Sequence, residues 1–193
     1  MAVIRNFFAL LGLVTLLGLG YAFVRIAPIM AEFDPGYMEI YQDFATKLLT
    51  TKDPGEAMMW AVPVEDPSLK VEDVKESLKS LAVQNNFLYV GESAFYKQVE
   101  AVTGQPYRHI AFLSFCDAKV GKMMADYRDA YTGFMPCRIS VVEDKNGKLW
   151  LYSMNLDMMI HGGKRLPEEL RTEALRVRNV IWKMLHGAAK GEF

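Results

Sequence analysis

The sequence predicts an α+β domain, a small antiparallel or mixed sheet with helices packed on it, preceded by one N-terminal transmembrane helix. Three observations carry that prediction. Nineteen residues between Arg5 and Arg25 bear no charge and are mostly Phe, Leu, Val and Gly. Further along, segments with apolar residues at helical spacing alternate with short apolar runs of strand length. Asp144-Lys145-Asn146-Gly147 then places Asn-Gly between two such runs, the strongest short signal of an antiparallel hairpin. With helices and strands mixed and the clear turn joining antiparallel strands, the helices belong on one face of a sheet.

The first element is the uncharged run. As a helix rising about 1.5 Å per residue it spans roughly 28 Å, close to the hydrocarbon core of a bilayer. A secretory signal is the competing reading, but its apolar region is shorter. The best small-x-small cleavage candidate, Gly20-Tyr21-Ala22, also falls inside the run. An uncleaved anchor over 1–30 is therefore expected. Arg5 and Arg25 nearly balance the positive-inside count, and the short tail before the run favours an N-in signal anchor. In a bacterial inner membrane the rest of the chain would then be periplasmic.

Residues 31–55 form a juxtamembrane segment. Asp34-Pro35-Gly36 ends the anchor region, and Tyr37, Ile40, Tyr41, Phe44 and Leu48 then recur at helical spacing. This is an amphipathic helix for the membrane surface or a partner, or one that packs on its own core. Asp53-Pro54-Gly55 makes a second turn.

Residues 56–193 form the α+β domain. Ala57–Val64 reads as a strand around Trp60. Val71, Val74, Leu78 and Leu81 mark a helix that Asn85-Asn86 ends. Phe87–Val90 reads as a short strand, and Ser93 as the cap of a helix that Gly104 stops. Tyr107–Phe115 is an apolar strand. Asp117 caps a helix to about Tyr127, and Cys137–Val142 and Lys148–Met154 flank the hairpin. Pro167 opens a last helix whose stripe is Leu170, Ala174, Val177, Ile181 and Met184.

The stretch Phe115-Cys116-Asp117-Ala118, a helix, Met135-Pro136-Cys137-Arg138-Ile139 and then Val141-Val142-Glu143-Asp144 resembles domain-of-unknown-function family 302, in a membrane-anchored subtype. The likeness covers roughly 57–159. It implies a small α+β domain and carries no catalytic residue onto this chain, because the family's activity is itself unsettled. Asn86-Phe87 stands where the family pattern has Gly-Phe, a change that the left-handed tolerance of Asn accommodates.

Net charge is −1 with both signs interspersed, which leaves no electrostatic footprint for nucleic acid. No nucleophile elbow or phosphate-binding glycine loop occurs. His109, His161 and His186 have no partner at metal-ligand spacing. His109 reads as a core-edge histidine with one hydrogen bond. Lys164, Arg165, Arg171, Arg176 and Arg178 read as a solvated basic face.

Cys116 and Cys137 are the candidate ligand-binding residues. One ends a strand, the other begins one, and a single helix intervenes. Three states are open. They could form a disulfide closing a loop of about 22 residues, which stabilises by roughly 3 kcal/mol on chain-entropy reasoning. They could be packed thiols. They could be thiolates that, with Met124 and Met135, hold a soft metal, for which monovalent copper suits sulfur donors. The pairs Met58-Met59, Met123-Met124 and Met158-Met159 otherwise read as core filler.

The function expected is that of a membrane-anchored accessory protein with a small ligand- or metal-binding domain, rather than an enzyme. The alternatives are a structural subunit of a membrane complex, with Gly12, Gly18 and Gly20 permitting close helix contact, and a thiol-redox protein using Cys116 ahead of a helix. A homodimer is compatible with a domain this small.

Overall fold

The computed structural model describes residues 1–193. Its first helix, α1 (Ala2–Met30), runs through the uncharged stretch with no side chain buried, and is long and apolar enough to cross a membrane. Gly12, Gly18 and Gly20 have open space around them. At about 100° per residue Gly12 and Gly20 share one side and Gly18 points away from it, so the three do not form one seam.

Phe33 bridges back to Lys164, and the chain turns at Asp34 into α2 (Tyr37–Thr51). Helix α2 packs on its own domain, against α3 (Pro54–Met58) and α7 (Asp157–His161). Half-buried Ile40, Phe44 and Leu48 face inward, while Met38, Tyr41 and Leu49 remain exposed. The segment expected as a turn at Asp53 is the cap of α3. The Asp53 carboxylate accepts from the N–H groups of Gly55 and Glu56, with Pro54 opening the helix. That cap draws Ala57 and Met58 into the helix, so β1 (Met59–Pro63) is shorter than the expected strand.

Helix α4 (Val71–Gln84) buries Val74, Leu78 and Leu81. Asn86 closes it at φ +59°, the conformation expected of its cap. Lys75 on the same helix is buried, an arrangement tolerated because Glu72 at 3.0 Å and Glu92 at 2.7 Å hold its ammonium. Strand β2 (Leu88–Ser93) runs past its expected end through a bulge between Tyr89 and Gly91. Ser93 therefore pairs with Phe112 instead of capping the next helix, and α5 (Phe95–Thr103) begins two residues later. Gly104 stops α5 at φ +67°.

Strand β3 (Ile110–Cys116) starts three residues later than the apolar run suggests. It leads into α6 (Ala118–Tyr127), whose N–H groups at Lys119 and Val120 donate to Asp117 as expected. A 3-10 turn (Asp129–Phe134) connects to β4 (Cys137–Glu143). The predicted hairpin, with Gly147 at φ +80°, joins β4 to β5 (Leu149–Met154).

The five strands form one antiparallel sheet in the order β1-β5-β4-β3-β2. Period-two alternation gives it a buried face. Trp60, Ser153, Ile139 and Leu113 make one cross-strand row, and Val62, Leu151, Val141 and Ala111 the next. Helices α4, α6 and α8 (Glu168–Ala189) contribute Leu78, Val120, Ile181 and Met184 to the core on that face. On the other face, Phe112, Ser140 and Tyr152 form a half-buried row.

Lys164 and Arg165 are exposed, but the three arginines of α8 are each held by a carboxylate. Arg171 reaches Asp34, Arg176 reaches Asp117, and Arg178 grips Asp157 with two hydrogen bonds of 2.9 and 3.0 Å. Each arginine ties the last helix to a different earlier segment.

Candidate functional site

The end of β3, the start of β4 and helix α6 meet at one corner of the sheet. Phe115 pairs with Cys137, which sets Cys137 in the same face-inward series as Ile139 and Val141. Cys116, at the last position of β3, lies beside α6. A methyl group placed on Gly121 would meet Cys116 Sγ at 3.7 Å and Met135 Sδ at 3.6 Å. Cys116, Cys137, Met124 and Met135 all line one cavity of about 70 Å³, closed by Val120, Phe134, Met159 and Ala174. The four sulfur residues singled out in the sequence are thus brought together, although no short sequence pattern links them.

Both cysteines are free thiols. Burial pushes the Cys137 thiol up to about 11, and neighbouring Cys116 adds to the shift. Burial and the Asp117 carboxylate likewise raise Cys116. The direction is opposite to the lowering that a thiol-redox role for Cys116, ahead of a helix, would call for. The apolar wall and the adjacent acid both work against the thiolate at Cys116.

The other methionines disperse. Met58, Met154, Met158 and Met159 face a second cavity, and Met59 lies at a third opening on the far side of the sheet. The histidines make no metal centre. His109 packs its ring 4.5 Å from that of Tyr96, and its Nε2 is buried without the hydrogen bond expected of it. Burial holds its pKa down, so it is neutral in a place where a charge would be costly. His186 stacks against Trp182 at 4.4 Å with its Nε2 likewise unpartnered.

His161 has a different part. Its Nδ1 lies 2.9 Å from Asp34 Oδ1, while Arg171 Nε donates to Oδ2 at 3.3 Å and the Gly36 N–H donates to Oδ1 at 2.9 Å. Asp34 is 1% exposed. Burial alone would raise its carboxyl, but these three partners outweigh it and hold the group below the ordinary carboxylate value. Backbone bonds from Asp34 N to Gly163 O and from Arg165 N to Glu32 O complete the junction. The chain leaving α1 is thereby clamped to the loop after α7. Nothing in the sequence marks the partner of His161, which lies 127 positions away.

Beside the clamp lies a cleft of about 420 Å³ between α2 and the domain. Ile40 and Phe44 form one wall, and Tyr127, Tyr131 and Phe134 the other, with Arg128, Asn155 and Lys164 supplying polar groups. The aromatic wall is continuous, with ring centroids 6.0 Å apart for Tyr127–Tyr131 and 6.4 Å for Tyr131–Phe134. Arg128 lies over the Tyr127 ring. Lys164 pairs with Glu32 at 2.7 Å, next to the end of α1. No single segment carries this site, which is why the sequence did not disclose it. The i, i+4 and i+3 spacing of Tyr127, Tyr131 and Phe134 was the one local signal.

Comparison with protein families finds a match over residues 60–188 to the one described as "Domain of unknown function DUF302". The chain belongs to the DUF302 family. A crystal structure of an uncharacterized conserved DUF302 protein from Bacillus stearothermophilus has a TM-score of 0.56 and 14% identity. It aligns with 67% of this chain and 96% of that one, a likeness that shows a common fold. No curated protein matches the sequence. Cys116, Met124, Met135 and Cys137 fall inside the DUF302 match, whereas Ile40, Asp43, Phe44, Ala57 and Met58 precede it. The sulfur-lined cavity belongs to the DUF302 domain alone, and the cleft lies between that domain and the segment that follows α1.

Proposed function

We propose that this protein is a single-pass accessory protein of a bacterial inner membrane, with its DUF302 domain in the periplasm. Its domain organisation is that of an anchor over 1–30, a juxtamembrane segment over 31–55 and the α+β domain from 56, and it works by holding a small amphipathic ligand rather than by catalysis. The observation that carries this reading is the cleft. Its volume of about 420 Å³ suits a small molecule, since such sites run from roughly 300 to 1,000 Å³. Its lining is mostly apolar and aromatic, with Arg128 as a cation for a polar or anionic head, since Lys164 is held by Glu32 and Asp43 by Lys47. It opens beside Glu32 and Lys164, where the chain leaves α1, so a ligand drawn from the bilayer has a short way to travel.

The test is native mass spectrometry of the full-length protein released gently from its own membrane. A mass excess lost in Ala130→Trp, which fills the cleft from an exposed position, is the expected result. A bare mass in the unaltered protein overturns the ligand reading, and co-eluting larger species in its place make the protein a subunit of a membrane complex or a homodimer. An alkaline phosphatase fusion after Phe193 checks the orientation, since it is active only if the domain leaves the cytoplasm.

A further inference from the structure

The sulfur-lined cavity is distinct from the cleft in its chemistry and its scale. At about 70 Å³ it has room for roughly two waters at ~30 Å³ each, well below what an organic ligand needs. Its polar exposure is minimal, and the one acid on its wall, Asp117, is already engaged by Arg176 and by the N-terminus of α6. The remaining donor atoms are sulfur, from two thiols and the thioethers of Met124, Met135 and Met159. No histidine lines the cavity, and no group of three or more His, Cys, Asp or Glu gathers anywhere in the fold.

We propose that this corner of the DUF302 domain binds one monovalent copper ion through Cys116 and Cys137, with Met135 as a third, thioether donor. Soft sulfur donors without carboxylate or imidazole select monovalent copper over magnesium, calcium and manganese, and a pocket with two thiols falls short of the four ligands of a structural zinc site. The geometry favours the trio. Cys137 begins β4 two residues after Met135 and faces inward, and Cys116 ends the adjacent strand. Gly121 faces Cys116 Sγ and Met135 Sδ together without a side chain of its own to fill the space. Val120, Phe134 and Ala174 give the cavity apolar walls.

Binding forms two Cu–S thiolate bonds and breaks two S–H bonds. Both protons leave to solvent, and the copper stays monovalent. Because each thiol gives up its proton on binding, the apparent affinity should rise with pH.

The experiment uses full-length protein in detergent micelles, kept anaerobic and titrated with monovalent copper against a chromophoric copper chelator. One equivalent bound, a near-ultraviolet sulfur-to-copper charge-transfer band and an all-sulfur shell in X-ray absorption are expected. Cys116→Ser and Cys137→Ser should each abolish competition with the chelator. Met135→Leu, which conserves volume, should weaken binding while leaving the circular dichroism spectrum and melting temperature unchanged. Failure to compete with the chelator at any pH up to 9 overturns the proposal, as does binding that survives Cys137→Ser or a nitrogen- or oxygen-dominated shell. Phe44→Ala, which removes part of the cleft wall on α2, away from the 3-10 turn and the sulfur residues, should leave copper binding intact, so the outcome here is separable from that of the ligand reading.

Discussion

Removing the Asp34 carboxylate should release the segment that follows α1 from the domain while leaving the domain folded. Asp34 accepts from Gly36 N–H, His161 and Arg171 while 1% exposed. Breaking a buried ion pair typically costs about 3–5 kcal/mol. Here the side chains of His161 and Arg171 are 17% and 25% exposed and can recover water, which brings the loss in Asp34→Ala to about 2–3 kcal/mol. That energy belongs to local opening. It should be read by hydrogen exchange at the amides of residue 34, bonded to Gly163 O at 2.9 Å, and of Arg165, bonded to Glu32 O at 3.1 Å. Their exchange should speed up by roughly 30- to 150-fold while the Leu113 amide in the central sheet keeps its rate. The pH dependence follows from the lowered carboxyl. Its stabilising contribution is complete above the ordinary value near ~4 and fades as pH falls through the lower folded value, so the clamp holds from pH 5 to 7 and loosens only in stronger acid. Unchanged exchange at 34 and 165, or a uniform increase that includes Leu113, would refute the account of Asp34 as a local clamp.

Arg178 offers a test inside the domain. It forks onto Asp157 and lies 5.2 and 5.6 Å from the Trp60 and Trp182 rings, so Arg178→Ala should lose about 2–3 kcal/mol in urea unfolding followed by tryptophan fluorescence. Arg178→Lys should recover less than half of it, because an ammonium cannot reproduce the fork, and a loss under about 0.5 kcal/mol for the alanine variant would contradict this. Gly162→Ala should open the cleft, since its new Cβ would overlap the Met158 carbonyl oxygen and displace the loop whose Gly162 carbonyl accepts from Tyr41 at 2.9 Å. Faster exchange in α2 and α7, without change in the central strands, is the expected signature.

The sequence disclosed what neighbouring residues decide. The Asp117 cap, the Asn146-Gly147 hairpin and the left-handed Asn86 are local chemistry, and each stands where its residues require. Errors arose where tertiary pairing overruled a local signal. Ser93 has the chemistry of a cap, yet cross-strand pairing with Phe112 claims it for β2. The arginines of α8 look like a solvated face because Asp34, Asp117 and Asp157 are distant in sequence. The sulfur residues were legible as a donor set because the chain has only two cysteines, and because two strands joined through one helix can meet at an edge. The cleft was not legible, because segments from α2 to the loop after α7 each supply only part of it.

The two cavities are not independent spaces. Phe134 and Met159 line both, so one face of each side chain meets the cleft and another meets the sulfur-lined corner. Met135, the proposed thioether donor, directly follows Phe134 at the end of the 3-10 turn, so a displacement of that turn by a cleft ligand would carry the sulfur with it. Packed walls of this kind shift between discrete arrangements rather than deform smoothly, and any coupling they transmit is reciprocal. If filling the cleft changes copper affinity by some factor, copper must change the affinity of the cleft ligand by the same factor. Typical couplings of about 1–3 kcal/mol correspond to roughly 5- to 150-fold. Titrating copper with the cleft occupied and empty, and the cleft ligand with and without copper, measures that factor twice. Unequal factors would show that a third process intervenes, and a factor of one in both directions would show that Phe134 and Met159 are a rigid partition.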